Sequence, residues 1–226
     1  MNHNAKTLPT LHLAIGVIVF VTMTVFVWQL ADEIRERESL TTADSALSSW
    51  LHTHNNPRLT TAMFAVTAMG STAVVSSIAG LFGIYLVFRR RFYWLAAITI
   101  SVFGGMLLNK LLKYAFHRQR PFFHDPLLTL TSYSFPSGHT MMATTLYAVL
   151  AAFFVSRTKD ARARVVIICA AVVMILRVGF SRIYLGAHYP TDVLGAMAEG
   201  LAWLSFCLIT VYYVWHRRQK NQEFSA

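Results

Sequence analysis

Long apolar stretches run through the sequence and constrain its fold more than any other feature. Six of them have roughly the length that a helix needs to cross a bilayer, and mostly polar connections separate them. Apolar and polar residues do not alternate within them, as they would in the strands of a β-barrel. We therefore predict an all-α fold in which residues 1–226 form a single transmembrane domain. The predicted spans are residues 11–31, 59–88, 92–112, 139–155, 165–180 and 193–215.

The connection after the first span, residues 32–57, differs from the others. It begins with the densely charged run DEIRERE, and Asp44, Leu47, Trp50 and Leu51 then recur at helical spacing among polar residues. This pattern suits an amphipathic helix at the membrane interface, and it equally suits an ordinary solvated helix. We predict the interfacial position, with the helix lying flat on the outer side of the membrane.

The formal net charge of +10 bears on the partners of the protein. On a soluble protein it would indicate nucleic acid. Here the cations cluster beside apolar spans, which favours membrane orientation and anionic head groups, and no nucleic-acid partner is expected. The positive-inside rule places both termini in the cytoplasm. The cations that set this orientation are Lys6, Arg89–Arg91, Arg157, Lys159, Arg162, Arg164, Arg217, Arg218 and Lys220.

Other cations fall on the predicted outer side, where the same rule disfavours them. They are Lys113, Arg118, Arg120 and Arg182. An anionic ligand would explain cations in this place. Three stretches at the ends of spans meet on this side: residues 113–121, 135–139 and 181–192.

The residue types in these stretches suit phosphoryl transfer. Clustered Lys and Arg side chains neutralise phosphate oxygens, and a guanidinium binds them bidentately. A helix that starts after Pro136-Ser-Gly-His139 adds backbone N–H donors for an anion. His188 and Asp192 are four residues apart, so if Pro190 opens a helix the carboxylate is close enough to orient the imidazole. One oriented histidine can attack phosphorus, and a second can protonate the leaving oxygen.

Together the three stretches resemble the signature of the type 2 phosphatidic acid phosphatase superfamily. That family includes membrane lipid phosphatases, soluble acid phosphatases and vanadium haloperoxidases. The six-span layout extends the resemblance over most of the chain. The matching positions are Lys113, Arg120 and Pro121 in the first motif, Pro136–His139 in the second, and Ser181, Arg182, His188 and Asp192 in the third.

The resemblance implies a role for each of these side chains. His188 is expected to be the nucleophile that forms a phosphohistidine, Asp192 to orient it, and His139 to be the general acid. No metal and no cofactor are expected. The expected phosphate ligands are Lys113, Arg120, Ser137, Gly138 and Arg182.

Two charged residues near these motifs lie outside the signature. We interpret Arg118 as a head-group or loop contact. Glu199 lies seven residues after Asp192, on the same face of the predicted sixth helix. An acid inside a span should be paired or protonated, and we favour a structural role for Glu199 over a direct role in the site.

By the same resemblance the protein is expected to be a bacterial lipid phosphatase of the cytoplasmic (inner) membrane, with its active site facing the periplasm or the cell exterior. The expected substrate is a lipid phosphate or diphosphate. Undecaprenyl diphosphate is favoured because that carrier is released on the outer face, and phosphatidylglycerol phosphate and phosphatidic acid also fit. One alternative is a lipid-to-lipid phosphotransferase that uses the same phosphohistidine. A non-enzymatic anion transporter is less favoured, because transport needs no nucleophile beside a general acid.

Overall fold

The computed structural model describes residues 4–36 and 38–224, with side chains for residues 13–36 and 40–217. All regular structure in these residues is helical. A π-helical turn, Ile100–Gly104, joins α5 to α6. The helices are α1 Asn4–Glu36, α2 Glu38–Thr53, α3 Pro57–Ala68, α4 Thr72–Phe88, α5 Phe92–Thr99, α6 Gly105–Phe116, α7 Gly138–Arg157, α8 Ala161–Tyr184 and α9 Pro190–Phe224.

The prediction of an all-α membrane protein is confirmed, and the helices follow the predicted spans closely. Within the described residues, five helical stretches are long and apolar enough to cross a membrane, and α3 with α4 makes a sixth if this bent pair counts as one span. The count of six therefore stays a prediction. The five stretches are Leu13–Glu36, Phe92–Phe116, Gly138–Arg157, Ala161–Tyr184 and Pro190–Arg217.

The predicted second span is broken rather than straight. α3 and α4 differ in direction by 42° across a break at residues 69–71. A Cβ on Gly70 would come within 2.7 Å of the carbonyl oxygen of His139, so the backbone of the break packs directly against the first turn of α7. Ser71 then caps α4 by accepting a hydrogen bond from the N–H of Val74 at 3.3 Å.

The bundle is centred on α7. This helix packs between α8 and α9, and α1 runs along the outside of α9. The buried apolar core fills the space between α4, the α5–α6 unit, α7 and α9. Its fully buried members include Val75, Leu86, Val102 and Leu146.

The antiparallel succession of helices brings the end of α6, the start of α7, the end of α8 and the start of α9 to the same end of the bundle. α2 lies against this end as well. The ring of His52 stacks on Phe123 with centroids 4.1 Å apart, and the backbone N–H of Asn56 donates to the Tyr184 hydroxyl at 2.9 Å.

The described part of the 32–57 connection is helical, but its buried face is polar. Asp44 is 3% exposed and Ser48 is 1% exposed, whereas Leu47 and Trp50 point outward. α2 therefore packs on the bundle through a polar face, on which Asp44 forms hydrogen bonds. The interfacial position of Leu47 and Trp50 stays a prediction.

Candidate active site

The three sequence stretches converge at the end of the bundle described above. Lys113 lies in the last turn of α6, and Gly138 is the first residue of α7. Arg182 lies in the last turn of α8, His188 in the loop that follows, and Asp192 in the first turn of α9. The fold thus gathers side chains that are up to 79 residues apart (192 − 113) in the sequence.

His188 is held from both edges of its ring. It is 2% exposed, its Nδ1 lies 3.4 Å from Asp192 Oδ2, and its Nε2 lies 3.2 Å from Arg120 Nη1. A carboxylate beside Nδ1 favours the tautomer that keeps the proton there, which leaves a lone pair on Nε2. Burial lowers the pKa of His188 to about 3, although Asp192 acts in the opposite direction, so the ring is neutral at physiological pH.

Asp192 is fully buried and accepts hydrogen bonds on both oxygens. Its Oδ2 accepts the backbone N–H of Tyr189 at 2.9 Å and the hydroxyl of Ser134. Its Oδ1 accepts from the Arg118 guanidinium at 2.6 Å. Pro190 starts α9, and the bond from Asp192 back to Tyr189 is half of a capping box, so the local sequence fixes the carboxylate at this helix start.

Backbone carbonyls hold Arg120 beside Nε2 of His188. Its Nε donates to Ser132 O at 2.6 Å, Nη2 donates to Tyr133 O at 3.2 Å, and Nη1 donates to Ala187 O at 2.5 Å. These bonds lock the planar guanidinium in place. A phosphoryl group approaching Nε2 of His188 would therefore meet a positioned cation.

The two other cations of the motifs are also anchored. Lys113 Nζ donates to Tyr133 O at 2.5 Å and to Ser134 O at 3.2 Å. Arg182 Nη1 donates to Thr67 Oγ1 at 2.9 Å, while its buried Nε has no partner among the described residues. A buried donor without a partner costs free energy, so this N–H is suited to donate a hydrogen bond to a ligand oxygen.

The start of α7 provides further anion donors. Ser137 is its N-cap residue, and its hydroxyl lies 2.9 Å from Thr140 Oγ1 rather than capping the backbone. The first N–H groups of α7 therefore lack a side-chain cap, as in known anion sites at helix starts. A Cβ on Gly138 would lie 4.0 Å from Lys113 Cε, which shows how closely this turn approaches the lysine. His139 is half-buried and lies in the positive electrostatic field of Arg182, Arg120 and Lys113.

Every predicted site residue thus lies at this end of the bundle, but two interpretations change. The interpretation of Arg118 as a head-group or loop contact is wrong, because it forms ion pairs with both Asp192 and Asp44. The signals in the sequence were its position two residues before Arg120 and its place among the cations of the predicted outer side. Ser134 and Asp44 also reach the site. Ser134 carried no sequence signal, and Asp44 was noted only as part of the helical pattern of residues 32–57.

Glu199 has the contacts of a structural residue. Its Oε2 accepts from Asn109 Nδ2 at 3.2 Å, and the same amide group lies 3.4 Å from the carbonyl of Pro136. The buried Asn109 amide thus links Glu199 to the turn that begins α7, while Glu199 Oε1 has no hydrogen-bond partner among the described residues.

Comparison with known proteins identifies similar chains. A phosphatidylglycerophosphatase B from Bacillus subtilis is 38% identical over 162 residues, which cover 70% of this chain and 78% of that protein. The undecaprenyl-diphosphatase BcrC from Bacillus subtilis is 34% identical over 106 residues, covering 45% of this chain and 50% of that protein.

The fold has a similar solved counterpart. The crystal structure of a transmembrane PAP2-type phosphatidylglycerolphosphate phosphatase from Bacillus subtilis superposes with a TM-score of 0.77 at 31% identity, covering 88% of this chain and 96% of that one. The spans and these bacterial relatives support a multi-pass bacterial membrane protein. The profile of the PAP2 superfamily matches residues 93–218, more than half of the chain and all three motifs. This chain belongs to the PAP2 superfamily.

Proposed function

We propose that this protein is a membrane phosphatase that removes the terminal phosphate of a lipid phosphate or diphosphate through a phosphohistidine on His188, without a metal or cofactor. The observation that carries the proposal is the position of Nε2 of His188, which faces Arg120 while Asp192 supports the opposite edge of the ring. The named relatives are phosphatases, which is consistent with a hydrolase.

The reaction follows from this geometry in two steps. The Nε2 lone pair attacks phosphorus, the bond to the leaving oxygen breaks, and His139 gives that oxygen a proton. Water then attacks the phosphohistidine, the bond between phosphorus and Nε2 breaks and returns its electron pair to Nε2, His139 takes up a proton from the water, and inorganic phosphate leaves. Arg120, Arg182, Lys113, Ser137 and the N–H groups from Gly138 onward stabilise the charge on the equatorial oxygens in both steps.

Undecaprenyl diphosphate is the substrate that we favour, and phosphatidylglycerol phosphate and phosphatidic acid are further candidates. The names of the relatives include both a phosphatidylglycerophosphatase and an undecaprenyl-diphosphatase. The positive-inside rule supports cytoplasmic termini and a site on the outer face of the inner membrane, because the cationic connections lie at the opposite end of the bundle from the site. An outward-facing site suits a carrier that is released on that face.

The test is phosphate release by detergent-purified protein in EDTA. The panel contains undecaprenyl diphosphate, phosphatidylglycerol phosphate, phosphatidic acid and a soluble phosphate ester. His188→Ala is compared with His216→Ala, which removes an exposed histidine from the far part of α9. We expect release from at least one lipid that His188→Ala abolishes and His216→Ala retains.

Two other outcomes would redirect the proposal. Activity that requires an added divalent cation would contradict a metal-free mechanism. No release from any lipid, followed by transfer to an added acceptor lipid, would indicate a phosphotransferase that uses the same histidine.

A further inference from the structure

Asp44, on α2, is buried at the start of α9. Its Oδ1 accepts the backbone N–H of Thr191 at 3.2 Å, and its Oδ2 accepts the hydroxyl of the same residue. The N–H groups in the first turn of a helix have no partner within the helix, and a carboxylate there interacts favourably with the helix dipole. A residue of α2 thus caps the helix that carries Asp192.

Arg118 joins this carboxylate to Asp192. Its Nη2 lies 2.7 Å from Asp44 Oδ2, and its Nη1 lies 2.6 Å from Asp192 Oδ1 and 2.7 Å from Thr191 Oγ1. The guanidinium also lies over the ring of Tyr189, 4.5 Å from its centroid. The planar guanidinium of Arg118 therefore bonds one carboxylate through each of its two Nη atoms and has little freedom to move.

The charges of Asp44, Arg118 and Asp192 explain why Asp44 and Arg118 are both needed. Arg118 alone beside Asp192 would neutralise the carboxylate and weaken its attraction for the imidazole of His188. Asp44 supplies the second negative charge, so that the guanidinium is shared between two carboxylates. Burying these groups is tolerable only while each charge keeps its partner. Asp192 then retains negative charge for the histidine, which gains positive character as Nε2 attacks.

We propose that Asp44 and Arg118 are positioning residues that set the orientation and charge of Asp192, and through it the reactivity of His188. The inference rests on the proposed function and extends the site to α2, which lies outside the sequence motifs. Neither residue is expected to touch the substrate.

A purely structural role for Asp44 is the competing explanation, and other contacts of α2 make the two separable. The stack of His52 on Phe123 and the bond from Asn56 to Tyr184 hold α2 independently of Asp44. Asp44→Asn keeps the size of the side chain and one carbonyl oxygen. Ser48→Ala is the matched control, because Ser48 is buried one turn further along the same face and its hydroxyl has no partner among the described residues.

The first experiment measures kcat and KM for the active lipid substrate. We expect Asp44→Asn and Arg118→Gln each to lower kcat about 10- to 100-fold with KM nearly unchanged, and Ser48→Ala to match the wild type. Because the three charges act as one unit, the double variant should be no slower than Arg118→Gln alone. Arg118→Lys, which keeps the charge but loses the fork, should also be slow.

A second measurement needs no turnover. The ¹⁵N and ¹H signals of the His188 imidazole, assigned by their loss in His188→Ala, report the hydrogen bond at Nδ1. We expect these signals to shift in Asp44→Asn and in Arg118→Lys and to stay in place in Ser48→Ala. The NMR result therefore tests the positioning role even if the wild type hydrolyses no lipid in the panel. Absence of hydrolysis would count against the proposed function alone.

The inference is overturned if Asp44→Asn retains the wild-type kcat and His188 signals. It is equally overturned if kcat falls only in proportion to lost folded protein, measured by thermal unfolding in the same detergent. Should Asp44→Asn not be recovered folded, Arg118→Lys alone decides, and wild-type kcat and signals in that variant would reject the proposal.

Discussion

The two histidines of the site lie in opposite surroundings. His188 is almost fully buried, with Asp192 and Ser134 near one ring nitrogen and Arg120 near the other. His139 lies in the first turn of α7 and is only half-buried, and no described side chain forms a hydrogen bond with its ring. His188, the nucleophile that we propose, is thus fixed before a substrate arrives, whereas no side chain holds the ring of His139, the acid that we propose.

This difference matches what each step requires. A nucleophile gains from a fixed direction and a dry environment, because no reorganisation is then needed when the bond forms. An acid that must deliver a proton, and then accept one from water, benefits from access to solvent. The predictions below test whether the two sides are as different in function as they are in structure.

The largest effect is expected at the support of the nucleophile. Asp192→Asn should lower kcat about 1,000-fold or more, because the amide can donate toward Nδ1 and favour the wrong tautomer of His188. Ser134→Ala removes one hydrogen bond to the same carboxylate but leaves the charge, so we expect a loss of only about tenfold. Steady-state phosphate release measures both variants. Equal losses in the two would show that the charge of Asp192 is not what matters.

The effect of replacing His139 should depend on the leaving group of the substrate. His139→Gln should lower kcat for a lipid monophosphate about 100-fold or more, because its alkoxide needs a proton. Hydrolysis of p-nitrophenyl phosphate should fall much less, since nitrophenolate leaves without one. The ratio of the two losses is the measurement. A loss of the same size on both substrates would assign His139 to phosphate binding rather than to proton transfer.

A smaller effect is expected at Arg182, whose positive charge acts on both His188 and His139. Arg182→Lys should weaken binding of phosphate and of vanadate about tenfold, because an ammonium cannot bond Thr67 and a ligand oxygen with the fork of a guanidinium. Inhibition constants for vanadate in EDTA measure this loss. Arg177→Lys, an exposed site on the same helix, is the control and should leave the constants unchanged.

The contrast also shows which parts of the molecule the sequence could predict. The spans follow from apolar run length, and the motif residues gather because each motif ends or begins a span. These are local signals. The relation between Asp44 and Arg118 joins positions 74 residues apart, and no period or motif connects them.

The features that the sequence did not predict have the same physical origin. The sequence pattern grouped Asp44 with Leu47, Trp50 and Leu51, whereas the structure buries Asp44 together with Ser48 and leaves Leu47 and Trp50 exposed. Polar burial of this kind depends on partners from distant segments, here Arg118 and Thr191. The bend at residues 69–71 packs against the start of α7, and apolar run length alone did not predict it.

The last prediction is that the protonation state of His188 does not change with pH in the physiological range. Free histidine has a pKa of about 6.5, and burial lowers that of His188 to about 3, so the ring should stay neutral from pH 5 to pH 8. Its ¹⁵N signals should then remain constant over this range, and kcat/KM should show no acid limb from the nucleophile. A limb near pH 6 that matches the titration of the substrate phosphate would not contradict this, since NMR observes the ring directly. A His188 signal that titrates near pH 6.5 would show that the nucleophile is not held in the buried, neutral state, and the contrast between the two histidines would fail.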